Sequence, residues 1–123
     1  MSLKTVWNLK SSEAMNEIVM ESQKQFPGIM GEPEVESLAA FFKALGDETR
    51  LKILTLLWFD DLCMCEIVES LGGATSTISH HLKIMEKGKL ITSKREGKFT
   101  IYRIDKERLA PLLPYIKEGE INV

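Results

Sequence analysis

Residues 72–104 read GGATSTISHHLKIMEKGKLITSKREGKFTIYRI, and a change of period inside this stretch decides the fold. From Thr75 to Lys87 the apolar residues Ile78, Leu82 and Met85 stand at i, i+4 and i+7, one face of an α-helix. Gly88 signals its end. Beyond it the pattern alternates. Leu90 to Arg95 and Phe99 to Ile104 are strand-like runs around Glu96-Gly97-Lys98, which predicts a β-hairpin with a basic tip. Upstream of Gly72-Gly73, Leu62 to Leu71 reads as a shorter helix with Asp60-Asp61 as its cap. Two short helices joined by a glycine turn and followed by a basic hairpin form the pattern of a winged helix-turn-helix, a mainly α fold with a small β-hairpin.

The second helix of such a unit must bury one face and offer small polar groups on the other. Thr75, Ser76, Ser79 and His80 fit that need, because hydroxyl and imidazole groups hydrogen-bond to base edges and phosphates. Lys83, one turn on, suits a phosphate, and the helix N-terminus adds the positive end of a dipole. Arg95 and Lys98 at the hairpin tip suit the neighbouring groove or backbone. These residues are the candidate DNA-binding set. Ser76 and Ser79 taken alone also fit solvated helix positions. For His80 the alternatives are plain surface and metal binding, and adjacent histidines on a helix point about 100° apart, which is awkward for one ion.

The charge distribution agrees with a polyanion partner better than the sum does. The chain of 123 residues has net charge −2, yet Lys83 to Arg103 holds seven bases against two acids, a net +5 that leaves −7 on the remainder. Composition is ordinary for one soluble globular domain, 44% hydrophobic and 28% charged. No apolar run is long enough to span a bilayer, and Met1 to Lys10 lacks the pattern of a secretory signal, so a cytoplasmic protein without membrane contact is expected.

Towards the N-terminus, Ser11 to Gln25 reads as a polar, weakly amphipathic helix ended by Phe26-Pro27-Gly28, and Gly31-Glu32-Pro33 restarts the chain. Glu34 to Leu45 is a stronger helix with Val35, Leu38, Phe41, Phe42 and Leu45 on one stripe. Asp47 caps the next helix, whose apolar face is Leu51, Ile53, Leu54, Leu57 and Trp58. At the other end, Asp105 or Lys106 to Lys117 reads as one helix with the stripe Leu109, Leu112, Leu113 and Ile116. Pro111 is tolerated near its start, and Pro114 is expected to bend or shorten it. The expected organisation is an N-terminal extension over 1–33, a winged helix-turn-helix over 34–118 and a tail over 119–123. The two outer stripes exceed what so small a core can hide, so a two-fold homodimer is expected.

In collinear order, residues 38–104 closely resemble the ArsR/SmtB family of metal-responsive repressors. The matching stretches are Ala44-Leu45-Gly46-Asp47-Glu48-Thr49-Arg50-Leu51-Lys52-Ile53-Leu54, Leu62-Cys63-Met64-Cys65-Glu66-Ile67, Ser76-Thr77-Ile78-Ser79-His80-His81-Leu82-Lys83 and Arg95-Glu96-Gly97-Lys98 followed by Tyr102. The resemblance implies a dimer with paired recognition helices on double-stranded DNA and an inducer that weakens binding. Thr75-Ser76 stand where the family usually has Gln-Ser.

Cys63-Met64-Cys65 sits where arsenic- and cadmium-sensing members of that family carry a Cys-x-Cys. Soft thiolates select thiophilic ions, so As(III), Cd(II) or Pb(II) are the candidate inducers and no resident cofactor is expected. A helix N-terminus is expected to lower the thiol pKa. Residues i and i+2 on an ideal helix point about 200° apart, so one ion would reach both sulfurs only if the helix start unwinds. The same geometry argues against a Cys63–Cys65 disulfide. The chain has no third cysteine, so a further ligand must come from elsewhere, from the second subunit for instance. The family's alternative site of Asp and His on the last helix is not matched, since no His follows Asp105.

The expected function is a sequence-specific repressor released from DNA by a thiophilic ion at Cys63 and Cys65. The alternatives are a thiol redox-responsive regulator, a small thiol enzyme or metalloid carrier, and a winged helix kept only for protein interaction. Against an enzyme, the chain has no Cys-x-x-Cys, no glycine-rich phosphate loop and no acid–base constellation.

Overall fold

Capping residues open several helices where the sequence places them, and one departure shapes the candidate site. The computed structural model describes residues 6–30 and 35–119. Ser11 accepts from the Ala14 N–H at 3.1 Å and opens α1, Ser12–Gln25. Asp47 accepts from the Arg50 N–H at 3.1 Å and opens α3, Glu48–Phe59, which follows α2, Val35–Leu45. The departure is the expected helix Leu62 to Leu71. Leu62–Cys63 is instead a short strand, β1, and α4 runs Met64–Leu71 with Cys63 as its N-cap. The Asp60-Asp61 pair does not cap it. Asp60 ends α3 in an extended conformation, and Asp61 binds Arg103.

After the Gly72-Gly73 turn, both glycines at positive φ, come α5, Thr75–Lys87, and the hairpin β2, Ile91–Glu96, and β3, Phe99–Ile104. Glu96 pairs with Phe99, so Gly97-Lys98 is a two-residue turn, with Gly97 at φ 59° in its first position. Strand β1 pairs antiparallel with β3, Leu62 opposite Tyr102 and Cys63 opposite Ile101, giving a three-stranded sheet of order β1-β3-β2.

The end of α5 is a Schellman motif. The Lys89 N–H bonds to the Glu86 carbonyl and the Leu90 N–H to the Met85 carbonyl. The left-handed position, φ 58°, falls on Lys89 and not on the glycine. Gly88 has another reason to be glycine: a Cβ there would lie 2.5 Å from the Ala40 carbonyl oxygen and 2.8 Å from the Ala44 Cβ. It lets α5 end tightly against α2.

The expected single C-terminal helix is broken into three pieces. These are α6, Lys106–Leu109, a 3-10 turn Ala110–Leu112, and α7, Leu113–Glu118. Each of the last two has a proline at its start, because Pro111 and Pro114 supply no N–H to the preceding turn. The core gathers Ile53, Leu54 and Leu57 of α3, Ile67 of α4, Ile78, Leu82 and Met85 of α5, and Leu90, Ile91, Tyr102, Ile104 and Leu109. Leu51, expected on the apolar face of α3, is instead 38% exposed.

Chain contacts divide the molecule into two units, Met1–Glu36 and Ser37–Val123. Helix α1 buries none of its residues, and Met15, Ile18 and Val19 are all exposed. The second unit holds the core described above. The restart at Gly31-Glu32-Pro33, the Glu34 start of α2 and residues 120–123 of the expected tail lie outside the described residues. No helix among the described residues is long and apolar enough to cross a membrane.

Candidate nucleic-acid interface and thiol corner

Helix α5 divides its residues by face. Ile78, Leu82 and Met85 are buried, while Thr75, Ser76, His80 and Lys83 are exposed and Ser79 is half-buried. Ser76, Ser79, His80 and Lys83 follow each other at i, i+3, i+4 and i+7, a single stripe opposite the core. No acidic residue occupies the first turn, and the N-cap Ala74 offers no side-chain acceptor, so no side chain of α5 neutralises its first-turn N–H groups.

The hairpin tip is basic but partly self-satisfied. Arg95 Nε donates to the Gly97 carbonyl at 3.1 Å, which braces the turn. Lys98 Nζ lies 5.4 Å from the centre of the Phe99 ring, and Lys94 pairs with Glu96 at 3.3 Å. Arg103, counted in the basic surplus, belongs elsewhere. It donates through Nε and Nη2 to Asp61 Oδ2 at 3.0 and 2.8 Å, and that hydrogen bond holds the Asp61 carboxyl below the usual range. The pair clips β3 to the chain just before β1.

The thiols meet. Cys63 Sγ and Cys65 Sγ are 2.7 Å apart, Cys63 buried and Cys65 exposed. The i, i+2 divergence expected of an ideal helix does not arise, because Cys63 is the N-cap in an extended conformation, φ −85° and ψ 163°, and only Cys65 is helical. No unwinding is needed to bring the sulfurs together, and both cysteines are free thiols. Glu66 Oε1 accepts from the Cys63 N–H at 2.9 Å, the return half of a capping box, and this bond holds its carboxyl below the usual range. The spacing Cys63 to Glu66 was the available signal for this start, hidden because cysteine stood where Ser or Thr is usual.

The expected lowering of the thiol pKa is reversed at Cys63. The Cys65 hydrogen bond first and burial second push its thiol up. An ion entering here must therefore displace a proton from Cys63. A tetrahedral ion with bonds near 2.3 Å spans two sulfurs roughly 3.7 Å apart, a separation that neighbouring side chains at this corner can adopt. Among the described residues no third Cys, His, Asp or Glu joins the two thiols in a metal-binding group.

A second polar cluster was not foreseen. Arg50 of α3 is buried at 7% exposure, and its Nη2 donates to the Lys43 carbonyl of α2 at 2.9 Å. Its Nη1 lies 2.9 Å from His81 Nδ1 on α5, and Asp47 Oδ2 is 3.7 Å from the same nitrogen. The Arg50 backbone N–H lowers the Asp47 carboxyl first of all, against partial desolvation.

Residues 47–93 match the family model for bacterial regulatory proteins of the arsR family. The chain is 38% identical over 84 residues to an uncharacterized HTH-type transcriptional regulator of Methanocaldococcus jannaschii, covering 68% of this chain and 94% of that one. The chain belongs to the arsR family. It is also 36% identical over 81 residues to the cadmium resistance transcriptional regulatory protein CadC of Listeria innocua, covering 65% of this chain and 68% of the relative. Among solved structures it resembles the homodimeric winged helix-turn-helix DNA-binding domain of a Mycobacterium bovis protein. The TM-score is 0.61 at 30% identity, over 69% of this chain and 79% of that one. As an arsR-family member the protein is a DNA-binding transcriptional regulator, and its fold is the winged helix-turn-helix expected from residues 72–104.

Proposed function

We propose that the protein is a homodimeric repressor that reads double-stranded DNA with α5 and its hairpin, and that a thiophilic metal or metalloid ion at Cys63 and Cys65 releases it. The observation that carries this reading is the position of the sulfur pair. Cys63 is at once the last residue of β1, the N-cap of α4 and a thiol in contact with Cys65. Strand β1 is bonded to β3 of the hairpin, and α4 packs on α5. An ion drawn onto the two sulfurs thus acts on both elements offered to DNA at their common root.

Thr75, Ser76, Ser79 and His80 meet base edges in this reading, and Lys83, Arg95 and Lys98 meet phosphates. Cd(II), As(III) and Pb(II) suit two thiolates; the relative from Listeria innocua is named for cadmium resistance. The third ligand comes from solvent, the second subunit or a small thiol. Homodimerisation is supported by the apolar surface of α2, α3 and α7, where Leu38, Phe42, Leu51 and Tyr115 are 38% exposed or more.

The test is affinity for the duplex upstream of the chain's own gene, measured across Cd(II) and As(III) titrations. Wild type should be released several-fold, as couplings of about 1–3 kcal/mol imply. The Cys63→Ser/Cys65→Ser double variant should bind DNA and ignore the ion. An equal response in both proteins would remove the thiols from the sensor. The juxtaposition of two free thiols also fits a second reading, thiol redox sensing, which predicts no ion response and loss of binding on oxidation in wild type alone. For the reading face, His80→Ala or Ser79→Ala should each cost about 1–3 kcal/mol of specific binding. Lys98→Ala should weaken all duplexes alike and lower the salt slope by about one.

A further inference from the structure

Among the described residues Arg50 is the buried charged side chain, and neither the fold's apolar core nor the thiol corner accounts for it. Its partners lie on two other helices: the Lys43 carbonyl near the end of α2 and His81 in the middle of α5. Arginine donates and never accepts, so His81 Nδ1 is the acceptor and its ring proton is on Nε2. Asp47, capping α3 and 3.7 Å from the same ring nitrogen, places negative charge beside the buried guanidinium.

We infer that Arg50 is a positioning residue for DNA reading, because its bridge from Lys43 to His81 fixes the rotation of α5 about its own axis. The rest of the buried face of α5 is Ile78, Leu82 and Met85, whose packing is non-directional. The Arg50–His81 bond is directional, and it acts on the residue next to His80. A helix with its side chains has a radius of roughly 5–6 Å, so a 20° rotation swings a surface group by about 2 Å. Hydrogen bonds to base edges span a window of about half an ångström and do not survive that shift. Long lysines reaching phosphates follow it. Loosening the bridge therefore removes sequence discrimination and spares non-specific binding. The inference rests on α5 being the reading helix.

The experiment compares affinity for the duplex that wild type protects upstream of its own gene with affinity for a scrambled duplex of equal length. All measurements are made well below the melting temperature of every variant. Arg50→Met should lose about tenfold or more on the protected duplex and less than about twofold on the scrambled one. His81→Leu, which removes the acceptor and keeps the bulk, should do the same, and the double variant should be no worse than either. His81→Gln, which restores an acceptor, should recover most of the discrimination. Should Arg50→Met not fold, the two His81 variants alone carry the test. An unchanged ratio in the folded Arg50→Met and His81→Leu proteins, or equal losses on both duplexes, would overturn the inference. His80→Ala separates the two levels. If it loses discrimination and the Arg50 and His81 variants do not, the positioning role fails and the reading face stands; if none loses it, both fail.

Discussion

Helix α5 and the thiol corner before it are neighbours in the chain, yet different forces make them. In α5 each side chain's role follows from its place on one turn of 3.6 residues: Ile78, Leu82 and Met85 inward, Ser76, Ser79, His80 and Lys83 outward. At the corner the chain passes from strand to helix in a single residue, Cys63, because Leu62 and Cys63 pair with Tyr102 and Ile101 from far later in the sequence. The first region is specified by local pattern and buried apolar area. The second is held by a short sheet edge, an Asp61–Arg103 clip and one Glu66 cap. A surface that must present fixed groups suits the first kind of construction.

That contrast has measurable edges. Leu82→Ala should cost about 2–5 kcal/mol in denaturant unfolding, since a core side chain 1% exposed leaves a cavity. Cys63→Ser at the corner should cost no more than about 1 kcal/mol, because the buried hydroxyl is offset by a better N-cap. A loss at Cys63 equal to that at Leu82 would erase the difference between the regions. Gly88→Ala comes next, at about 1–3 kcal/mol, because the added Cβ meets the Ala40 carbonyl and Ala44 Cβ with no side chain able to move aside. A neutral result there would mean that α5 is free to shift along α2.

The corner also has a pH signature. The folded Glu66 carboxyl is held below its ordinary range, so its contribution is fully present above that range and is lost as pH falls through the lower folded value. Glu66→Gln should flatten this part of the stability–pH curve by lowering neutral stability towards its acid value. An unaltered acid limb in the variant would show that the cap does not hold α4. The smallest effect is expected at Lys89. Its left-handed backbone, φ 58°, is strained for any side chain, so Lys89→Gly should raise stability by up to about 1 kcal/mol, read as a small rise in Tm.

The sequence by itself determined the order of the helices α2 to α5 and of the hairpin strands β2 and β3, the inward and outward faces of α5, the hairpin turn at Gly97 and the adjacency of two thiols. All of these rest on local periods, caps and turn residues, which act within a few positions of the chain. It did not show that Leu62–Cys63 is a strand, for two residues carry no period and the pairing partner lies across the fold in β3. Nor did it show that Arg103 answers Asp61, that Arg50 reaches His81, or that Gly88 is glycine because Ala40 and Ala44 press on it. The sulfurs of Cys63 and Cys65 come together for the same reason. Pairing with β3 holds Cys63 extended while Cys65 enters the helix, and only a tertiary contact can impose two conformations on residues so close in sequence.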